Sequence, residues 1–86
     1  MSGKNISILK SLADETRFKI VKFLMKEEKC VCEIFPHVNK TQSTVSTHLN
    51  NLERNGILKS RREGKYVFYK LADKRFIQLI GLLEKK

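Results

Sequence analysis

The stretch Lys40-Thr41-Gln42-Ser43-Thr44-Val45-Ser46-Thr47-His48-Leu49-Asn50-Asn51-Leu52-Glu53-Arg54 decides how the rest of this 86-residue chain is read. On a helix, Val45, His48, Leu49 and Leu52 fall on one stripe, and Ser43, Thr47, Asn50 and Arg54 fall on the opposite face. The first set packs against a core. The second is short, rich in hydroxyl and amide groups and almost free of acid, which suits hydrogen bonding to base edges and phosphates in a major groove. Thr41 stands where a helix takes its N-cap, so the free N–H groups of the first turn point outward, where a phosphate is favoured. A merely solvated helix would carry similar residues; the segments on either side give this one its meaning. His48 lies in the apolar stripe with no partner at metal-ligand spacing, and is read as a structural, hydrogen-bonded histidine.

Upstream, Cys30-Val31-Cys32-Glu33-Ile34-Phe35 reads as a short helix limited by Pro36, which lacks an N–H and disfavours a helical Phe35. Pro36 also deletes the hydrogen bond that the Cys32 carbonyl would accept, so the turn around Cys32 is expected to be loosely held. Val38-Asn39-Lys40 supplies a tight turn, with Asn39 able to take the left-handed conformation. Short helix, turn and capped helix make a helix-turn-helix. Downstream, Asn55-Gly56 stops the reading helix. Ile57 to Arg62 and Lys65 to Leu71 are strand-like runs around a turn at Glu63-Gly64, a hairpin with a basic tip. Such a wing lays Arg61, Arg62 and Lys65 along a phosphate backbone or into a minor groove.

The outer segments are helical. Asn5 to Leu12 is apolar on one broad side. Asp14 is an N-cap for a helix from Glu15 to about Lys26, with Phe18, Ile20, Val21, Leu24 and Met25 inward. Asp73 caps a final helix in which Phe76, Ile77, Leu79, Ile80, Leu82 and Leu83 exceed what one face can hold. A second copy of the chain is the economical cover, so a homodimer is expected. The architecture is thus mainly α with a small β-hairpin, a dimeric winged helix-turn-helix in one domain over residues 1–86. The first few residues and Glu84-Lys85-Lys86 are expected to be loose ends.

Charge points the same way. The chain carries +9 net, and Arg54 to Arg75 holds eight basic residues against two acids. A polyanion fits, and nucleic acid fits better than a membrane because the charges sit on a hairpin and not on an amphipathic helix. No apolar run is long enough to span a bilayer and no apolar segment near Met1 resembles a signal peptide, so a cytoplasmic place is expected. Two cysteines in a reducing compartment argue against a structural disulfide. There is no glycine-rich phosphate loop, no nucleophile–base pair and too little chain for a deep pocket; no catalytic residue and no required cofactor are assigned. A thiol oxidoreductase using Cys30 and Cys32, or a winged-helix module for protein partners, are the weaker alternatives.

Three segments in order carry a family likeness: Leu12-Ala13-Asp14-Glu15-Thr16-Arg17-Phe18-Lys19-Ile20-Val21, then Gln42-Ser43-Thr44-Val45-Ser46-Thr47-His48-Leu49, then Gly56-Ile57-Leu58 running into Arg61-Arg62-Glu63-Gly64-Lys65 and Tyr69-Lys70-Leu71. Over nearly its whole length the chain resembles an ArsR/SmtB-type winged-helix repressor. The resemblance implies a homodimer joined through its first and last helices, bound to an imperfect inverted repeat of double-stranded DNA and released by an inducer. The residues expected to touch DNA are Gln42, Ser43, Thr44, Ser46 and Thr47 of the reading helix, with Arg61, Arg62 and Lys65 of the wing. Thr47 stands where many members of that family carry a longer side chain, which implies an unusual base preference.

Cys30-Val31-Cys32 resembles the cysteine box of the family's arsenic, antimony, cadmium and lead sensors. Thiolates favour soft ions, and residues two apart point to nearly opposite sides of a helix, so chelation by Cys30 and Cys32 would deform the start of the helix-turn-helix. Arsenite, antimonite or cadmium are the inducers this implies; no thiol chemistry, or oxidation of the same thiols, are the alternatives. Arsenic sensors of the best-known type have a third cysteine where this chain has Phe35, and sensors with N-terminal thiolates have a longer arm. His37 is a third donor only in principle. Asp73 to Lys86 lacks histidine, so the last-helix zinc site of related sensors is not expected.

Overall fold

In the computed structural model, which describes residues 3–84, the chain runs α1 (Gly3–Leu12), α2 (Glu15–Phe23), β1 (Lys29–Cys30), α3 (Val31–His37), α4 (Gln42–Arg54), β2 (Leu58–Glu63), β3 (Tyr66–Leu71) and α5 (Lys74–Glu84). Of the expected loose ends, Met1, Ser2, Lys85 and Lys86 lie outside the described residues. Gly3 and Glu84 are helical, and Glu84 pairs with Lys22 at 2.6 Å.

The local signals act where the sequence puts them. Asp14 caps α2, accepting the Arg17 N–H at 3.0 Å, and that bond with the nearby Arg17 charge holds its carboxyl below the usual range. Thr41 caps α4 by accepting the Thr44 N–H at 3.2 Å. Asn39 turns the chain at φ +55°. At the end of α4, Gly56 (φ +75°) donates to the Glu53 carbonyl and Ile57 to that of Leu52, both at 3.0 Å, which is the Schellman pattern. Gly64 (φ +61°) takes the first of two loop positions between Glu63 and Tyr66, where a II′ hairpin needs positive φ.

Several expectations are corrected. Helix α1 begins at Gly3, two residues before Asn5. Helix α2 stops at Phe23, before Lys26: the Leu24 N–H is already shared between the Ile20 and Val21 carbonyls, and Met25 reaches back only to Lys22. The chain must turn there because Lys29 and Cys30 pair antiparallel with Tyr69 and Phe68, adding a third strand to the hairpin in the order β1-β3-β2. A two-residue strand has no periodicity to reveal it. The hairpin loop is Gly64-Lys65, one residue later than expected, with Glu63 still paired to Tyr66.

Helix α3 passes through Pro36 to His37, so Phe35 is helical and the proline does not limit the helix as expected. Its first turn is not loose. The Cys32 N–H donates to Cys30 Sγ at 3.3 Å, and the Cys30 N–H donates to a Glu33 carboxylate oxygen at 3.0 Å. This is a reciprocal capping box with a thiol in the place of a hydroxyl, and it replaces the order that Pro36 removes.

Ile20, Val21, Leu24, Ile34, Val45, Leu49, Leu52, Ile57, Leu58 and Ile80 form the centre of the core. Outside it, α1 and α5 leave apolar side chains uncovered: Leu82 is 71% exposed, Leu83 62% and Leu9 48%. A cleft of about 370 Å³ between these helices is walled by Ile8, Leu9, Phe76 and Leu79.

Two substitutions test this packing. Leu52→Ala should cost about 2–5 kcal/mol in urea unfolding, the range for truncating a buried leucine. Cys30→Ser should leave α3 intact because a hydroxyl caps at least as well, whereas Cys30→Ala should lower stability by roughly 0.5–2 kcal/mol; equal melting curves for the two would deny the thiol its capping role.

Candidate nucleic-acid interface

Successive residues on α4 step by 100°, which divides its surface into four strips. Val45, Leu49 and Leu52 are buried. Ser43, Thr47, Asn50 and Arg54 are exposed on the far side, as their spacing requires. Thr44 is also exposed, its hydroxyl accepting from Thr41 at 3.0 Å, while the Thr47 hydroxyl donates to the Ser43 carbonyl at 3.2 Å. With its hydroxyl proton engaged, Thr47 offers lone pairs and a methyl group, a surface that can meet a thymine methyl. One flank, with Gln42, Ser46 and Asn50, faces the wing. The other flank turns toward α1 and α2 and carries His48, Asn51 and Asn55.

The wing is anchored to α4 by Ser60, whose hydroxyl donates to Glu53 at 2.7 Å. Side chains alternate across the hairpin, so Ser60, Arg62, Val67 and Tyr69 share one face, and Arg61, Glu63, Tyr66 and Phe68 share the other. Arg62 therefore lies on the sheet face that meets α4. Arg61 lies on the reverse and is paired with two carboxylates: its Nε is 3.1 Å from both Glu28 oxygens, Nη2 also meets Glu28, Nη1 is 2.6 Å from Glu63, and the guanidinium sits 4.6 Å from the centre of the Phe68 ring. Arg61 holds the Glu28 carboxyl below its ordinary range, so the clamp is complete at neutral pH and is lost as acid protonates Glu28.

Between α3, α4 and the wing is a cleft of about 590 Å³, and both cysteines open onto it together with Gln42, Ser46, Asn50 and Lys65. The structure thus brings the thiol pair beside the wing-facing flank of the reading helix. Cys30 is buried and Cys32 exposed. The Cys32 thiol is pushed up, first by its hydrogen bond with Cys30, then by desolvation and by the charges of Cys30 and Glu33, which disfavours a standing thiolate. His37 does not join them. Its ring stacks on Phe23 at 3.8 Å between centroids and lines a different cleft with Met25, Lys29 and Ile77. Among the described residues no group of three or more His, Cys, Asp or Glu side chains is placed to hold a metal ion.

His48 is half-buried and hydrogen-bonded, as expected, but its partner was invisible in the sequence: Arg17 Nη1 lies 3.2 Å from His48 Nδ1, and Arg17 Nε donates to the Ser11 carbonyl at 2.7 Å. The buried Ser11 hydroxyl donates to Asn51 Oδ1 at 2.5 Å. Ser11, Arg17, Glu28 and Glu53 were all missed. Their separations from their partners run from 6 to 40 residues, and only Ser11–Arg17 and Glu53–Ser60, 6 and 7 apart, are neighbours enough to invite a guess.

Residues 14–60 match the family model for bacterial regulatory proteins of the arsR family. An uncharacterized HTH-type transcriptional regulator of Methanocaldococcus jannaschii is 40% identical over 82 residues, covering 94% of this chain and 92% of that one. A cadmium resistance transcriptional regulatory protein CadC homolog of Staphylococcus aureus is 42% identical over 85% of this chain, which spans 61% of that relative. Among solved structures, the homodimeric winged helix-turn-helix DNA-binding domain of a possible ArsR-family regulator from Mycobacterium bovis superposes with a TM-score of 0.87 at 27% identity, covering 94% of this chain and 75% of that one. Among the described residues no helix is long and apolar enough to cross a membrane. The chain belongs to the arsR family of bacterial regulatory proteins and is a winged helix-turn-helix, DNA-binding transcriptional regulator.

Proposed function

We propose that this chain acts as a homodimeric repressor, bound to an imperfect inverted repeat and released when a signal reaches Cys30 and Cys32. The observation that carries the DNA geometry is the shared side of α4 and the wing. Ser43, Thr44 and Thr47 stand exposed on the helix, Gln42 and Ser46 border the cleft beside it, and Arg62 and Lys65 extend from the hairpin on the same side. Hydroxyl and amide groups enter the major groove, and the two cations follow the backbone into the adjacent minor groove. Arg61, committed to Glu28 and Glu63, serves by holding the wing in register.

The uncovered leucines of α1 and α5 favour an interface through the first and last helices, which would set two reading helices roughly 34 Å apart, one turn of DNA. Homodimeric assembly of the Mycobacterium bovis domain supports this reading.

The sensor half rests on the cap. Cys30 Sγ holds the first turn of α3 through the Cys32 N–H, so any chemistry that occupies this sulfur frees that turn. Oxidation of a thiol by a peroxide, which transfers one oxygen to the sulfur and leaves as water, is one such chemistry. A soft metal or metalloid is the second reading, supported by the cadmium-resistance name of a relative. Cys30 and Cys32 provide two sulfurs and the chain has no other cysteine, so they do not fit a closed thiolate cage.

Fluorescence anisotropy on a labelled duplex from the region upstream of its own gene tests the first half. Binding should weaken steeply with salt, and Arg62→Ala with Lys65→Ala should lower the slope of log K against log salt by about 0.9 for each phosphate that is no longer neutralised. An unchanged slope would remove the wing from the interface. Titration of the complex with arsenite, cadmium or a mild oxidant should release DNA from the wild type and not from the doubly serine-substituted protein; retention under all three would make the cysteines purely structural. Leu82→Glu with Leu83→Glu should yield monomers in analytical ultracentrifugation, and a persisting dimer would move the interface elsewhere.

A further inference from the structure

The apolar bed of α4 is non-directional and leaves the helix free to roll; hydrogen bonds on its flank do not. Two such links tie the α1/α2-facing flank to the end of α1. Ser11 donates its hydroxyl to Asn51, and Arg17 bridges the Ser11 carbonyl to His48. Asn55 Nδ2 supports the first link, donating to the Asn51 carbonyl at 2.9 Å.

A guanidinium has five donors and no acceptor. A hydrogen bond across the 3.2 Å from Arg17 Nη1 to His48 Nδ1 therefore requires Nδ1 as the acceptor, that is, the Nε2–H tautomer. Protonation at Nδ1 would remove the acceptor and set two cations against each other. The charged groups around the ring are the Arg17 guanidinium from α2 and the Asp14 carboxylate at the cap of α2; Lys10 of α1 lines a shallow cleft beside Arg17, with Asn51 and Asn55. On α4 itself, Thr44, Val45, Asn51 and Leu52, one turn away, carry no charge. Asp14 accepts the Arg17 N–H through one carboxylate oxygen, and its negative charge also acts on the His48 ring.

We propose that Arg17 and His48 are positioning residues for DNA reading, and that they hold α4 in its binding orientation only while His48 is neutral. The inference rests on the DNA-binding reading of α4. Its sign is distinctive. A histidine that merely added charge beside DNA would tighten binding in acid, whereas a brace that breaks on protonation loosens it.

The test is anisotropy on the same duplex at constant ionic strength from pH 8 to pH 5.5, with wild type, His48→Asn and Arg17→Leu, each checked for fold by circular dichroism. Asparagine places an oxygen near the Nδ1 position and does not titrate. At pH 8, wild type and His48→Asn should bind within about threefold of each other. At pH 5.5 the wild type should lose roughly five- to tenfold relative to His48→Asn, the lower part of the range for coupled sites. Arg17→Leu should bind weakly at both pH values. Parallel profiles for wild type and His48→Asn, or tightening of the wild type in acid, would overturn the brace. Failure of folded wild type to bind at pH 8 would overturn the DNA reading itself. Independently of DNA, ¹⁵N shifts of the His48 ring should show the Nε2–H tautomer at pH 8; the Nδ1–H tautomer would refute the hydrogen bond.

Discussion

Burial of Val45, Leu49 and Leu52 against α2, α3 and β2 is the constraint on which the other features depend. Each such side chain contributes about 1.5–3 kcal/mol, against a net stability of roughly 5–15 kcal/mol for a typical domain. These three anchors therefore decide whether α4 has a fixed seat at all. They do not decide its rotation within that seat. Rotation is set at the two flanks, by Ser11 and Arg17 on one side and by the Ser60–Glu53 bond to the wing on the other. With the helix held at both flanks, the strip from Ser43 to Arg54 faces outward.

The wing follows a similar logic with weaker interactions. Exposed ion pairs add little to stability, so the pairing of Arg61 with Glu28 and Glu63 matters for where the hairpin points. It ties β2 to the segment before β1, and β1 in turn pairs with β3 and ends at the Cys30 cap. The thiol pair is thus joined through backbone to the wing and through α3 to the turn before α4. A local loss of order at Cys30 is well placed to disturb at once both parts proposed to contact DNA.

What was legible in the sequence is what depends on near neighbours. The amphipathic stripe of α4, its Thr41 cap, the positive φ at Asn39 and the Gly56 stop all involve residues within about one turn, and each is where the local chemistry puts it. The third strand, the early end of α2 and the engagement of Arg61 are set by pairing across more than thirty residues, which periodicity cannot register. Pro36 is the instructive case. The local rule is sound, but a cap made by Cys30 and Glu33 supplied the order that the proline removed, and the helix continued past it. The thiols themselves were found by motif, and their capping role only by geometry.

The proposal that helix α4 and the Arg62–Lys65 side of the wing together form one DNA-contacting surface is the one on which the rest depends. Nuclear magnetic resonance of ¹⁵N-labelled protein titrated with an inverted-repeat duplex tests it most directly. Such a surface requires the largest amide shifts at Gln42 to Thr47 and at Arg62 to Lys65, with the Arg61 Nε resonance and the amides of α5 little changed. Shifts concentrated on α1 and α5, with α4 silent, would contradict it.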